Sequence, residues 1–409
     1  MLILGALRIN KKAIMREMDK VIPNLAHRGI YVGRCFVSET YAYKGIAGPH
    51  VVLVKNNEVF DLSEYFNSTA QLINTPNIIS KLRKLEQLKS LGKLTDILEN
   101  SIFSVRKSDL PYFIAPNDIQ AVKACGVTFI ESLLERVIEE KAKGDASKAS
   151  ELRAVIIDRI GEDLSTVVPG SNNAMLLKEE LQNQGLWSQY LEVGIGKDAE
   201  IFTKSQPLSS VGYGAEIGVL GDSNWNNPEP EVVLAVSKEG KIIGATLGND
   251  VNLRDYEGRS ALLLGEAKDQ NGSCAIGPLI RLFDDTFTLE TIKKETINLK
   301  ITGVDGFELQ ASSPMGKISR APEKLVKQAI GKNHQYPDGL VLFCGTMFAP
   351  TKDRNIPGNG FTHKVGDKVE IFSEHLGTLA NWVNDCDKIA PWEWGISSFL
   401  EFHTKRSLA

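Results

Sequence analysis

The sequence predicts an α+β protein, with a small N-terminal α+β module over residues 1–105 and a larger, mostly β region over residues 106–409. Three observations predict it. Short runs rich in β-branched and aromatic residues, broken by turn residues, fill residues 28–65. Apolar residues at helical spacing mark the middle of the chain, and beyond about residue 200 strand, turn, strand patterns take over.

In chain order, Gly29-Ile30-Tyr31-Val32-Gly33-Arg34-Cys35-Phe36-Val37, Val51-Val52-Leu53-Val54 and Val59-Phe60-Asp61-Leu62 read as strands, the last two joined by the turn Lys55-Asn56-Asn57-Glu58. A lysine-rich segment, 76–101, reads as helical, and the charged first twenty residues as loosely ordered. After Asp109-Leu110-Pro111 the spacing predicts a long helix capped by Asn117 or Asp118, with Val122, Phe129, Leu133 and Val137 on one face. A second helix is expected over 147–163 and a third over 174–185, restarted by Gly170-Ser171-Asn172-Asn173. One more helix, 322–333, begins at Pro322 and ends at Gly331.

Composition is that of an ordinary globular chain: 409 residues, 42% hydrophobic, 24% charged, net charge -4. That balance gives no electrostatic reason to expect nucleic acid or an anionic membrane as partner. No apolar run approaches the ~20 residues of a membrane span. Met1 to Leu7 is too short and lacks the basic flank of a secretory signal, so a cytoplasmic protein is expected. The five cysteines are scattered and show no paired metal spacing, as expected of reduced, mostly buried residues.

The most informative stretch is Glu229-Pro230-Glu231, followed by Val232 to Val236, a Lys238-Glu239-Gly240-Lys241 turn, Ile242 to Thr246, and then Asp250 and Arg254. Strand residues two apart share a face and lie roughly 6–7 Å apart. Glu229 and Glu231 can therefore reach one ion, and the hairpin brings Asp250 back toward them. Oxygen-only ligands suit Mg²⁺ first, then Mn²⁺ or Ca²⁺, and argue against zinc. A solvated hairpin face is the plain alternative.

Glu229-Pro230-Glu231, Asn249 to Asp255, Lys268-Asp269 ahead of Ile276-Gly277-Pro278, Phe343-Cys344-Gly345-Thr346, Val365-Gly366-Asp367-Lys368-Val369 and Leu376-Gly377 occur in the order seen in the fumarylacetoacetate hydrolase superfamily. The chain resembles that superfamily over roughly residues 106–400. The stretches 187–194 and 334–339 make it most similar to the sugar-acid branch, the 2-keto-3-deoxy-D-xylonate or D-arabinonate dehydratases. The resemblance implies a mixed β-roll catalytic domain, a cytoplasmic homodimer or homotetramer, and a small 2-keto acid substrate.

It also implies roles. Glu229, Glu231 and Asp250 would hold the metal, with Lys268 directed at it. Arg254 would bind a carboxylate or hydroxyls through its planar fork, unless it is a structural ion pair with Asp255 or Glu257. Thr346 would bind the substrate carboxylate, or else cap a strand end. Hydrolases and decarboxylases of the superfamily carry a His and a Glu three apart that activate water, and Ser132 and Glu135 stand at those places here. A hydroxyl is no base near neutral pH, so hydrolysis of a C–C bond and oxaloacetate-type decarboxylation become the alternatives to dehydration. A non-catalytic metabolite-binding protein is the further one. Glu135 and Lys268 remain as groups to move a proton at C3, Glu135 with the plain alternative of a helix residue paired to a neighbouring cation.

Overall fold

Alternation of buried and open positions sets the strands and explains how they stack. The computed structural model describes residues 21–22, 29–153, 156, 164, 167–348, 350–354 and 360–409. The N-terminal strands are β1 (Tyr31–Val37), β2 (Gly48–Lys55), β3 (Glu58–Asp61), β4 (Ser90–Lys93) and β5 (Tyr112–Ile114). Next come β6 (Ala121–Cys125), β7 (Ile201–Ser205), β8 (Glu216–Val219), β9 (Asn226–Asn227), β10 (Pro230–Val236), β11 (Ile242–Asp250) and β12 (Asn252–Leu253). The last are β13 (Cys274–Leu282), β14 (Thr296–Thr302), β15 (Glu308–Pro314), β16 (Leu340–Phe343), β17 (Lys368–Ser373) and β18 (Gly377–Asp385).

One sheet runs β4-β3-β2-β1-β13-β11-β10-β16-β6-β7, with β5 also on β1, so its hydrogen bonding passes unbroken across residue 105. A second runs β15-β14-β17-β18-β8. Val232, Leu234 and Val236 of β10 share one apolar cluster with Ile297, Leu299 and Ile301 of β14 and with Ile371 and Leu379, which packs the sheets face to face. All seven residues of β10 are buried, because the opposite face of the large sheet is covered too. A continuous apolar run is what a strand buried on both faces requires.

Helices lie outside these layers: α1 (Thr69–Ile73), α2 (Ile78–Lys84) and α3 (Leu94–Ser101) early, then α4 (Ile130–Ala142), α5 (Asn172–Asn183) and α6 (Gln189–Ile195). Later ones are α7 (Arg254–Glu257), α8 (Leu264–Lys268), α9 (Leu289–Lys293), α10 (Pro322–Ala329) and α11 (Ile396–Leu408). Ser171 Oγ caps α5 by accepting from Ala174 N at 3.2 Å.

Several expected elements differ. The long helix starts at Ile130, not after Asn117 or Asp118, because Val122 belongs to β6, which pairs in parallel with β16. Five residues of apolar alternation fit a strand or a helix equally, and the β16 edge decides it. Asp118 caps α1 instead, accepting from Thr69 N (2.5 Å) and Ala70 N (3.1 Å). Segment 76–101 splits into α2, β4 and α3, since β4 adds to the edge of β3. The helix expected over 147–163 is helical at 146–153, and most of the remainder falls outside the described residues, as do the first twenty residues. Helix α10 starts at Pro322 as expected and stops at Ala329, short of Gly331.

Candidate metal and active site

The β10–β11 hairpin does what its sequence spacing requires. Glu231 pairs with Gly248, and Asp250 N donates to Glu229 O at 3.0 Å, which sets the returning aspartate beside the glutamate pair. Carboxylate oxygens of Glu229, Glu231 and Asp250 all lie within 4.8 Å of one another, and none of the three residues is more than 1% exposed. Gly345 closes the other side. Its φ of +102° and a site where a Cβ would lie 2.1 Å from Thr128 Oγ1 both demand glycine, and its N–H donates to Glu231 Oε2 at 2.6 Å. Thr346 Oγ1 lies 2.8 Å from Glu229 Oε2 and 3.3 Å from Glu231 Oε1.

Lys268, the last residue of α8, spans two of the acids: its Nζ is 2.6 Å from Glu229 Oε2 and 3.1 Å from Asp250 Oδ2. Burial pulls its pKa down, but Asp250, Glu229 and Glu257 outweigh that and push it up, so the ammonium stays charged. Glu229 is pulled below the usual carboxylate range, Lys268 and Arg136 overcoming burial. Glu231 goes the other way. Burial and the charges of Asp250 and Glu229 push it well up, since like carboxylates crowded together cannot all ionise.

The structure brings in charges that sequence spacing did not single out. Arg136 of α4 pairs with Glu229, with Glu139 at 2.5 Å and with Glu257 at 3.2 Å. Lys204 of β7, fully buried, has its Nζ 3.0 Å from Asp250 Oδ1. Glu200, just before β7, is held above its ordinary pKa by burial and responds to Arg136, Lys268, Glu229 and Asp250. Its carboxylate forms no ion pair among the described residues. No motif flags these residues, because each arrives by tertiary packing; only the apolar neighbours of Lys204 in Ile201-Phe202-Thr203-Lys204-Ser205 hint at a strand that buries it.

Arg254 is buried, with Nε 2.8 Å from Asn227 Oδ1 and 3.3 Å from Glu139 Oε1, and its guanidinium 5.4 Å from the Trp225 ring centroid. Its ion-pair partner is Glu139 rather than Asp255 or Glu257. Glu135 is not drawn into the cluster, since Arg153 donates to both its oxygens at 2.8 Å. Ser132 is buried on the same helix. The cysteines are free, and burial pushes the Cys125 and Cys344 thiols up, away from reactive thiolate.

The charges around the hairpin do not balance. Six acids (Glu139, Glu200, Glu229, Glu231, Asp250, Glu257) meet four cations (Arg136, Lys204, Arg254, Lys268), a formal surplus of two negative charges among the described residues. An all-oxygen carboxylate set with that surplus fits a divalent cation.

The fold is a mixed β one with a buried three-carboxylate centre on a central hairpin, a set that could hold a metal ion. The sequence model of the fumarylacetoacetate (FAA) hydrolase C-terminal domain matches residues 179–384, and the chain belongs to the fumarylacetoacetate hydrolase family. It is 34% identical over 190 residues to the 2-dehydro-3-deoxy-D-arabinonate dehydratase of Saccharolobus solfataricus, covering 46% of this chain and 60% of that protein. It is 31% identical over 194 residues to a probable 2-keto-3-deoxyxylonate dehydratase of Haloferax volcanii, covering 47% of this chain and 63% of that protein. The match thus spans less than two thirds of either relative. Among solved structures, 2-keto-3-deoxy-D-arabinonate dehydratase in its apo form superposes with a TM-score of 0.59 at 22% identity, over 87% of this chain and 99% of that one. The same enzyme complexed with magnesium and 2,5-dioxopentanoate gives 0.58 at 22% identity, with the same coverage. At that identity the likeness is one of fold.

Among the described residues no helix is long and apolar enough to cross a membrane.

Proposed function

We propose that this protein is a metal-dependent hydro-lyase that converts a 2-keto-3-deoxy sugar acid, 2-keto-3-deoxy-D-xylonate or its D-arabinonate equivalent, to 2-oxoglutarate semialdehyde in pentose catabolism. The observation that carries the reading is the buried, negatively surplus triad of Glu229, Glu231 and Asp250 with Lys268 across it. The names of the two relatives support the substrate class.

Glu229, Glu231 and Asp250 would hold the cation, Mg²⁺ first. When bound, it supplies Lewis acidity to the carboxylate and keto oxygens of the substrate, which makes the C3 hydrogens easier to remove. Lys268, kept protonated by its neighbours, donates to the keto oxygen as negative charge develops there. The C3 proton needs a carboxylate with a raised pKa and no cation already bound to it. Glu200 meets both conditions and its carboxylate lies over Gly126, whose carbonyl oxygen abuts Gly345 at the edge of the triad, whereas Glu135 is engaged by Arg153, so Glu200 takes precedence as the base. The C4 hydroxyl then leaves as water by taking up the proton removed from C3, and tautomerisation, moving a C5 hydrogen and the C5 hydroxyl proton to C3 and C4, gives the aldehyde.

Arg254 retains an Nη2 without a hydrogen-bond partner among the described residues, and this N–H suits a substrate oxygen. Thr346 orders Glu229 and Glu231 and presents its hydroxyl to the carboxylate end. Ser132 leaves the helix without a water-activating imidazole, and among the described residues no histidine pairs with the cluster. That disfavours hydrolysis and decarboxylation.

The test is incubation of the purified protein with Mg²⁺ and 2-keto-3-deoxypentonate, with semialdehyde followed by a coupled aldehyde dehydrogenase. Semialdehyde formation is expected. Faster cleavage of acylpyruvates, or faster CO₂ release from oxaloacetate, would assign the chain to a hydrolase or decarboxylase.

A further inference from the structure

Far fewer acids accompany two other arginines. Strand residues two apart share a face, so β1 presents Arg34 and Phe36 together. The edge of β1 changes partner midway: Tyr31 and Val32 pair with β13, whereas Arg34, Cys35 and Phe36 pair with β5. Beside this change of partner lies a cavity of about 370 Å³, lined among others by Arg34, Arg106, Tyr112, Ser210, Trp392 and Trp394. None of the hairpin carboxylates lines it.

Its walls are aromatic and cationic. Phe36 stacks on Tyr112 with centroids 5.4 Å apart and planes at 17°, and Trp394 meets Phe36 edge-on at 5.7 Å. The Arg106 guanidinium lies 4.4 Å from the Tyr112 ring centroid. Arg34 is only 6% exposed, yet its Nε and Nη1 have no hydrogen-bond partner among the described residues, and neither does Arg106 Nε. Arg106 Nη2 donates to Ser101 O at 2.5 Å.

Among the described residues no acid forms an ion pair with either arginine. Asp118 is the charge that acts on Arg34, but its carboxylate already accepts from the N–H groups of Thr69, Ala70 and Ile119. Glu216 lines the cavity and accepts from Asn384 Nδ2 at 2.8 Å, and Glu393 is exposed at its rim. Neither forms an ion pair with Arg34 or Arg106 among the described residues. A buried guanidinium left without a partner is costly, and planar forks of this kind match carboxylate and phosphate oxygens.

We propose that this cleft is a second ligand site, distinct from the carboxylate centre, for a small organic anion: a carboxylate or phosphate on a flat apolar body. The anion sits against the Arg34 and Arg106 guanidinia that line the cleft, and the body lies against the Phe36–Tyr112 stack and the two tryptophans. This inference is independent of the reaction proposed above.

Calorimetric titration of the full chain, stripped of metal so that the hairpin acids repel anions, tests it with benzoate, phenyl phosphate, inorganic phosphate and benzyl alcohol. Benzoate or phenyl phosphate is expected to bind at least about tenfold more tightly than benzyl alcohol, because only an anion satisfies the guanidinia. The tighter of the two identifies the carboxylate or the phosphate as the natural group. Arg34→Gln is expected to weaken that binding about tenfold or more while Mn²⁺ binding at the hairpin is unchanged. Arg106→Gln, at a more open position, gives the same reading should Arg34→Gln fail to fold. Absence of binding by both aromatic anions, equal binding of benzyl alcohol, equal binding of inorganic phosphate, or undiminished binding in the folded variants would overturn the proposal.

Discussion

Glu229, Glu231 and Asp250 of the β10–β11 hairpin and Glu135 and Glu139 of helix α4 are buried alike, yet they are held in opposite ways. On α4, Glu135 takes both N–H groups of Arg153, and Glu139 lies between Arg136 and Arg254. Each has its cation. On the hairpin, three carboxylates share Lys268, Lys204 and part of Arg136, and burial with the neighbouring Asp250 and Glu229 charges pushes Glu231 up. Burial therefore does not separate the two sets of acids. The local balance of charge does, because a buried acid with its own cation is already satisfied, whereas acids in surplus leave room for a further cation, as the proposed metal site requires.

The largest effect expected from this difference is at Glu231. Glu231→Gln keeps the shape and the contact with Gly345 N but removes a ligand charge. Divalent-metal affinity should fall, and turnover should drop by roughly 10³-fold or more, the scale of several kcal/mol of Lewis-acid stabilisation. Calorimetric titration with Mn²⁺ reads the affinity without any assay of turnover, and EDTA-treated protein should behave as the variant does. Full activity after metal removal would break the comparison at its functional end.

The hairpin acids were legible in the sequence because strand period and turn position alone set them side by side. Glu231 opposite Gly248 and Asp250 beside Glu229 are consequences of register. Lys268, Arg254 and Thr346 became readable only through family resemblance, since nothing local places α8 or the 344–346 turn against the hairpin. Arg136, Glu139, Lys204 and Glu200 were not legible. Their side chains reach the site through docking of α4 and β7, and the error in placing the start of α4 has the same origin. Whether Ala121 to Cys125 coils or extends is decided by the free edge of β16, more than two hundred residues away.

A smaller effect separates Glu200 from Glu135. If charge balance identifies function, Glu200→Gln should lower kcat by roughly 10²–10⁴-fold, the usual range for a general base, with KM little changed. Glu135→Gln should lower it by less than about tenfold, through loss of helix order alone. Exchange of the C3 hydrogens of the keto-deoxy acid in D₂O, followed by NMR, isolates the proton-transfer step. Slow exchange in Glu135→Gln together with normal exchange in Glu200→Gln would reverse the assignment and restore the helix acid as the base.

The smallest effect is on stability, and it asks whether Glu135 is the structural acid that its pairing indicates. Burial alone would raise its pKa, but the hydrogen bonds from Arg153, with the charges of Arg254 and Arg136, outweigh burial and hold it below the ordinary carboxylate range. In the unfolded chain that hold is lost, so at acid pH the unfolded state binds more protons and stability rises with pH. The contribution is complete above the ordinary carboxylate pKa of about 4.3 and disappears as pH falls through the lower folded value. Glu135→Gln should therefore be less stable than the parent at pH 7 by about 1–3 kcal/mol, the worth of hydrogen bonds to a charged group. The gap should narrow as pH falls below about 4. Urea denaturation at both pH values measures it. An equal gap at both would mean that the carboxylate is not held ionised by Arg153, and Glu135 would then return to the list of groups free to move a proton.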